Sequence, residues 1–370
     1  MNDRKFDLND ILITPATTSR ISSRKEVNIF SEYQDYLPLM SAPMDTVAFD
    51  EHSVKKIDDH HIIPTIPRTP NHMGLVSVRD NIQKYSSRIG ILARPPVSFI
   101  SISLKQLEWI NKNQTFQDFV YFRFSERNPL YLLIDIANGH MRKLHYEVLK
   151  LRKNLASSVK IMIGNIANPE TYKAINEDLK VDFVRLSIGT GSACLTSEQT
   201  AIGYPMGSLI HECYKLSLEM NNPPKIVADG GFKSYSDIIK GIALGADFIM
   251  IGSLLNKSFD ISEKEIYWKG LNLKNRKLTE WMYQHNFQLQ RKYRGMSTKE
   301  VQKRWGKLKL TTSEGIVKYN DIEYTLGGWI SNFTDYLRSA MSYTGANTIS
   351  EFKGIDFNLI TENSYRRFNK

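Results

Sequence analysis

A rhythm constrains this chain more than any other feature. Eight short apolar runs, each ending in small or polar residues, alternate with stretches of helical periodicity: LPLMSAP (37–43), IIPTIPR (62–68), FISISL (99–104), YLLIDIANG (131–139), IMIGNIA (161–167), FVRLSIG (183–189), IVADGGF (226–232) and FIMIGS (248–253). Strand-like runs separated by helical patterns predict βαβ units and a parallel sheet covered on both faces. Eight such units predict an α/β chain closed into a TIM-type (β/α)8 barrel rather than an open sheet. After IVADGGF, the segment SYSDIIKGIALGAD places Ile238, Ile239, Ile242 and Ala243 on one face, with Gly245 where a helix should stop. That is the pattern of a crossover helix.

The length of 370 residues fits one barrel domain spanning the whole chain, with its strands inside about 37–253. Three stretches break the alternation: an N-terminal arm (1–36), a stretch rich in Lys, Arg, Gln and Asn (256–312), and a C-terminal extension (313–370). The middle stretch would leave the C-terminal face of the barrel after its last strand, so a long loop or active-site flap is expected there.

The 49 basic residues exceed the 39 acidic ones, for a formal charge of +10, which favours anionic ligands without saying which kind. With only Cys194 and Cys213, and no apolar leader in MNDRKFDLND, a reducing, cytoplasmic location is expected. Runs such as FIMIGSLL (248–255) fall far short of the ~20 residues that cross a membrane, so no membrane partner is expected.

The most informative stretch for chemistry is LSIGTGSACLTSEQTAIGYP (186–205). Gly189, Gly191 and Ser192 end a strand and present Cys194 and Thr196, and glycines there let a ligand approach the backbone closely. A cysteine on such a loop, beside backbone amides, can have its thiolate stabilised and act as a nucleophile. An isolated cysteine is more often a small buried core residue, and Cys213 in HECYKLSLEM keeps that reading. Asp229 ends the seventh run, where a carboxylate can accept from both ribose hydroxyls, with Gly230 and Gly231 beside it. Gly252 and Ser253 follow the eighth run, and loops after strands seven and eight of a barrel are its usual phosphate site.

Taken with these, SAPMDTV, DIANGH, GNIANPE, IGTGSACLT, ADGG, YRGMS and LRSAMSYTGA resemble, in order, the motifs of the IMP dehydrogenase and GMP reductase family, over roughly residues 5–355. The resemblance implies the barrel, assembly as a homotetramer, and a purine nucleotide held as a cysteine adduct at carbon 2. It implies Cys194 as nucleophile, Thr196 as its companion and Glu314 as the acid/base partner of that threonine, although a loop glutamate by itself is most often only solvated. Asp229 and Gly230 fall at the ribose. Ser192, Gly231, Gly252, Ser253 and Tyr293 fall on phosphate positions, and Met44, Met296, Ser297 and Gly315 around the base. Asp135, Asn165 and Arg68 fall on the cofactor side. Backbone carbonyls of Gly189, Gly191 and Cys194 are implied as ligands of a monovalent cation such as potassium.

Members of this family either hydrolyse the adduct, using a mobile flap, or form it by expelling ammonia and reduce it with NADPH. DIANGH, TAIGYP and Ala42 resemble the reductases, there is no room for the tandem CBS domains of most dehydrogenases, and no Arg-Tyr pair lies between Met296 and Glu314, where Arg304-Trp305 comes nearest. The expected activity is NADPH-dependent reduction of GMP to IMP. The alternatives are an IMP dehydrogenase lacking CBS domains and a reductase of a related guanine nucleotide. Four features depart from the reductase pattern: Arg68 in place of a lysine, Thr311 in place of an arginine, YRGMS and SYTGA in dehydrogenase wording, and a long 256–292 stretch without the family's Pro-Gly-Glu turn. A relic barrel binding RNA through its basic surface is the non-enzymatic alternative. Cys194, Thr196 and Glu314 occurring together argue against it, and no nucleic-acid partner is expected.

Overall fold

The computed structural model describes residues 4–33, 35–48, 50–70, 74–86, 97–306, 309–310 and 312–368. Eight parallel strands form the barrel: β1 (Leu39–Ser41), β2 (Thr65–Ile66), β3 (Phe99–Ile102), β4 (Leu130–Asp135), β5 (Val159–Ile166), β6 (Phe183–Leu186), β7 (Lys225–Asp229) and β8 (Phe248–Ile251). Each lies within or across one of the eight apolar runs. Neighbours pair in sequence order, β8 pairs β1, and the ring closes where Ile63 donates to the Leu39 carbonyl at 3.0 Å and Ser41 donates to the Ile63 carbonyl at 3.0 Å. The fold is the (β/α)8 barrel.

Period-two alternation sorts the strand side chains into two cores. Met40, Phe99, Leu133, Met162, Phe183, Val227, Phe248 and Met250 fill the barrel interior, whereas Ile100, Ile134, Ile163, Val184, Ala228 and Ile249 pack outward against the helices. The crossover helix Tyr235–Ala243 begins on a capping box, in which the Ser234 side chain and the Asp237 side chain each accept the other residue's amide. It buries Ile238, Ile239, Ile242 and Ala243, the face read from the sequence.

The N-terminal arm closes the bottom of the barrel, with the Tyr33 ring 5.5 Å from Phe183 and 5.7 Å from Phe248, the first residues of their strands. Its strand Ile11–Ile13 pairs antiparallel with Phe357–Leu359 near the other end of the chain. The site is thereby left to the opposite, C-terminal face.

Residues 256–312, expected as a loop or flap, contain much more order than that. β9 (Ile266–Trp268), β10 (Leu271–Leu273) and β11 (Gln290–Arg294) join β12 (Val317–Asp321) in an antiparallel sheet of order β10-β9-β11-β12, with helix Arg276–Gln284 alongside. Ile266, Met282 and Leu289 form its small core. Arg291, fully buried, donates to the carbonyls of Asn256, Ser258, Phe259 and Ser262 and so fixes the loop that enters this lobe. The flap proper is what β11 and β12 carry between them, including helix Lys299–Arg304. Among the described residues no helix is long and apolar enough to cross a membrane.

Candidate active site

A cavity of about 570 Å³ opens over the C-terminal ends of the strands, roofed by the flap, within the size range of small-molecule sites. Of the residues expected in the site, Met44, Arg68, Asp135, Asn165, Gly189, Gly191, Ser192, Cys194, Thr196, Asp229, Gly230, Gly231, Gly252, Ser253, Tyr293, Met296, Ser297 and Glu314 all line it. Gly315 stands just behind this lining, paired through the backbone with Cys194 and so close to Ser297 that a Cβ on it would meet that hydroxyl at 2.9 Å. Thr311 lies outside the described residues.

Cys194 is half-buried, whereas Cys213 is fully enclosed and its thiol is pushed up by burial. The Cys194 thiol donates to Thr196 Oγ1 at 3.2 Å, and that hydroxyl donates to Glu314 Oε2 at 2.7 Å. Backbone bonds set this geometry. The Leu195 amide donates to the Glu314 carbonyl at 2.7 Å and the Ile316 amide to the Ala193 carbonyl at 3.0 Å, so the returning leg of the flap is stitched to the cysteine loop. Gly295 allows the approach, because a Cβ there would meet the Ala193 carbonyl oxygen at 2.6 Å.

Directly against the cysteine loop, where a Cβ on Gly230 would meet Gly191 Cα at 3.1 Å, Gly230 and Gly231 take φ of +84° and +86°, which lets the chain turn directly after Asp229. The buried Tyr293 ring reaches from β11 to the eighth strand's loop: a Cβ on Gly252 would lie 2.7 Å from its hydroxyl, which donates to Met44 Sδ at 3.3 Å. Burial and then the Asp229 charge hold the Tyr293 phenol above its ordinary pKa, so it stays a neutral donor.

The sequence reading missed Arg185. It points into the barrel from β6, one inward position above Phe183, and an arginine at that alternation inside FVRLSIG was the available signal. Its Nη1 lies 2.9 Å from Asp135 Oδ1, its Nε 3.1 Å from Asp229 Oδ2, and its Nη2 donates to Asn165 Oδ1. Asn165 in turn donates to Asp229 Oδ2 at 3.0 Å. Burial alone would lower the Arg185 pKa, but Asp229 and Asp135 outweigh it and hold it above its ordinary value. Two carboxylates expected to serve different ligands therefore share one buried counter-ion. Trp305 and Gln302 of the flap also line the cavity and were not foreseen as contacts.

Of the carbonyls expected around a monovalent cation, those of Gly189, Gly191 and Cys194, all three residues lie on the cysteine loop that lines the cavity. The Gly191 carbonyl also accepts the Cys194 amide at 2.8 Å, which closes the turn that carries the thiol. No cluster of His, Cys, Asp or Glu suited to a metal occurs among the described residues.

Residues 126–368 match the family described as IMP dehydrogenase / GMP reductase domain. The chain is 25% identical to a GMP reductase of Caenorhabditis elegans over 95% of its own length and 90% of the relative's. It is 28% identical to a GMP reductase of Buchnera aphidicola subsp. Baizongia pistaciae, over 94% and 92%. An inosine-5'-monophosphate dehydrogenase of Aquifex aeolicus is 30% identical, but over 60% of this chain and 43% of that protein.

Proposed function

Because the chain belongs to the IMP dehydrogenase / GMP reductase family, we propose that it is a GMP reductase, converting GMP to IMP and ammonia with NADPH. The observation that carries this reading is the hydrogen-bonded series Cys194–Thr196–Glu314. Cys194 Sγ adds to purine carbon 2, and Glu314 supplies a proton through Thr196 Oγ1 to the departing amine. Ammonia leaves as the sulfur–carbon bond is kept. NADPH, when bound, supplies the hydride that replaces sulfur at that carbon and frees IMP. Asp229 Oδ1, with no protein partner in the described hydrogen bonds, is available to the ribose, and the amides of the Gly231 and Gly252 loops to the phosphate.

Arg68, Asp135 and Asn165 line the same cavity, and their polar groups suit the nicotinamide riboside.

The flap supports reduction over hydrolysis. A hydrolytic member needs a base there to activate water, and Arg304, the nearest equivalent, is instead paired with Asp45. The lengthwise match to GMP reductases supports the same choice. The local 30% identity to an IMP dehydrogenase favours the second reading, a dehydrogenase without CBS domains.

Two assays of the purified protein decide between them. GMP with NADPH should yield IMP, ammonia and NADP in equal amounts; oxidation of IMP by NAD with no reaction of GMP would replace the reductase by the dehydrogenase.

A further inference from the structure

Asp45, one residue beyond Met44, ties the flap to the barrel. Its Oδ2 accepts from Arg294 Nη2 at 2.7 Å, where the flap leaves β11, and from Arg304 Nη1, where the flap helix ends. Arg294 is almost fully buried, and its other Nη1 donates to Glu300 on that helix at 2.7 Å. These bonds fix both ends of helix Lys299–Arg304.

The next residue is Trp305. The Arg68 guanidinium carbon lies 4.9 Å from the centre of its ring, and Arg68 Nε lies 2.9 Å from Asp135 Oδ2. The other Asp135 oxygen is held by Arg185. Arg68 is thus confined between the indole face and a carboxylate that is itself pinned. A guanidinium carries five N–H donors. With Nε on Asp135, the Nη groups of Arg68 have no protein acceptor among the described residues, and the residue lines the cavity.

We propose that Trp305 is a positioning residue which, seated by the Asp45–Arg304 pair, holds Arg68 with its Nη donors toward oxygen acceptors of the dinucleotide. The flap then completes the cofactor half of the site only when it is down. A stacked, permanently charged guanidinium suits this role and a lysine does not, because an ammonium has neither the planar face nor the fixed fork. This inference rests on the reading of the cavity as a nucleotide and dinucleotide site.

The test has two arms. In turnover of GMP, Trp305→Leu should raise the KM for NADPH about tenfold, the equivalent of ~1.4 kcal/mol, with the KM for GMP within about twofold. Trp305→Tyr, which keeps an aromatic face, should restore most of the loss. Trp305→Leu combined with Arg68→Gln should be no worse than Arg68→Gln alone, as two residues acting through one contact require. Additive losses, or a loss confined to GMP, would overturn the proposal.

The second arm needs no substrate. Backbone amides of residues 297–306 should exchange about tenfold faster in Arg68→Gln and in Asp45→Asn than in the wild type. Arg68→Lys, which keeps the charge, serves if the glutamine variant does not fold. Unchanged exchange in the variants would overturn the clamp even if turnover behaves as expected. A wild type that reduces no guanine nucleotide would remove the functional reading and leave exchange to decide the clamp alone.

Discussion

Thr196 Oγ1 donates to Glu314 Oε2 at 2.7 Å across 118 residues of chain. The bond joins the cysteine loop of the sixth strand to a flap that enters the structure only after the eighth. Because the backbone of residues 193–195 also pairs with 314–316, the carboxylate is fixed beside the nucleophile. The relay therefore exists only while the flap is seated.

If Glu314 moves a proton rather than merely bracing the loop, Glu314→Gln should slow ammonia release from GMP by ~10²–10⁴-fold. Hydride exchange between IMP and NADP requires no amine to depart and should slow far less. Both rates measured on one preparation separate the roles, and equal slowing would mean that Glu314 only braces the loop.

Arg185 gives a stability prediction. Arg185→Met leaves Asp135 with Arg68 alone and takes from Asp229 the cation it is paired with among the described residues, inside the barrel mouth. Losing one partner of a buried pair costs about 3–5 kcal/mol, so a clear drop in the urea midpoint is expected, partly recovered by adding Asp229→Asn. A midpoint unchanged by Arg185→Met would show that the network contributes nothing to folding.

These residues also show how far the sequence carried. The eight strands were legible because each is an apolar run between helices, and Cys194 because glycines surround it. Arg185 was not, since its charge looks like surface until its register places it inward beside Phe183. The lobe over 256–312 was read as a loop because its strands are three to five residues long and its core rests on Ile266, Met282 and Leu289. The contacts of Trp305 come from tertiary structure alone, and no local pattern announces them.

Arg291 should hold the lobe together. Arg291→Leu keeps apolar bulk but leaves four carbonyls without their donor, and each unsatisfied buried group costs ~1–3 kcal/mol. Burial pushes the Arg291 pKa down to about 9, so the native side chain is still charged at neutral pH. Limited proteolysis should cut the variant first within residues 256–292, and a digestion pattern identical to wild type would refute this role.

Seating of the flap should weaken in acid. Burial of Glu300 works to raise its pKa, but the Lys292 hydrogen bond and the charges of Arg294, Lys292 and Arg304 outweigh it and hold the carboxyl below its ordinary value. A folded pKa below the unfolded value of ~4.3 means stabilisation that is complete above that pH and is lost as pH falls through the folded value. Amide exchange in residues 297–306 should therefore be slower in wild type than in Glu300→Gln at pH 6, and the difference should vanish in acid. A difference that persists there would remove Glu300 from the account.

The central claim is a covalent bond between Cys194 and the purine, and mass spectrometry of the protein incubated with GMP alone tests it most directly. Without a hydride donor the reaction should stop at the adduct. The account predicts a peptide containing Cys194 heavier by GMP less ammonia, with ammonia released in matching amount and neither seen in Cys194→Ala. Adduct on another residue, or GMP reduction by Cys194→Ala within about tenfold of the wild-type rate, would contradict it.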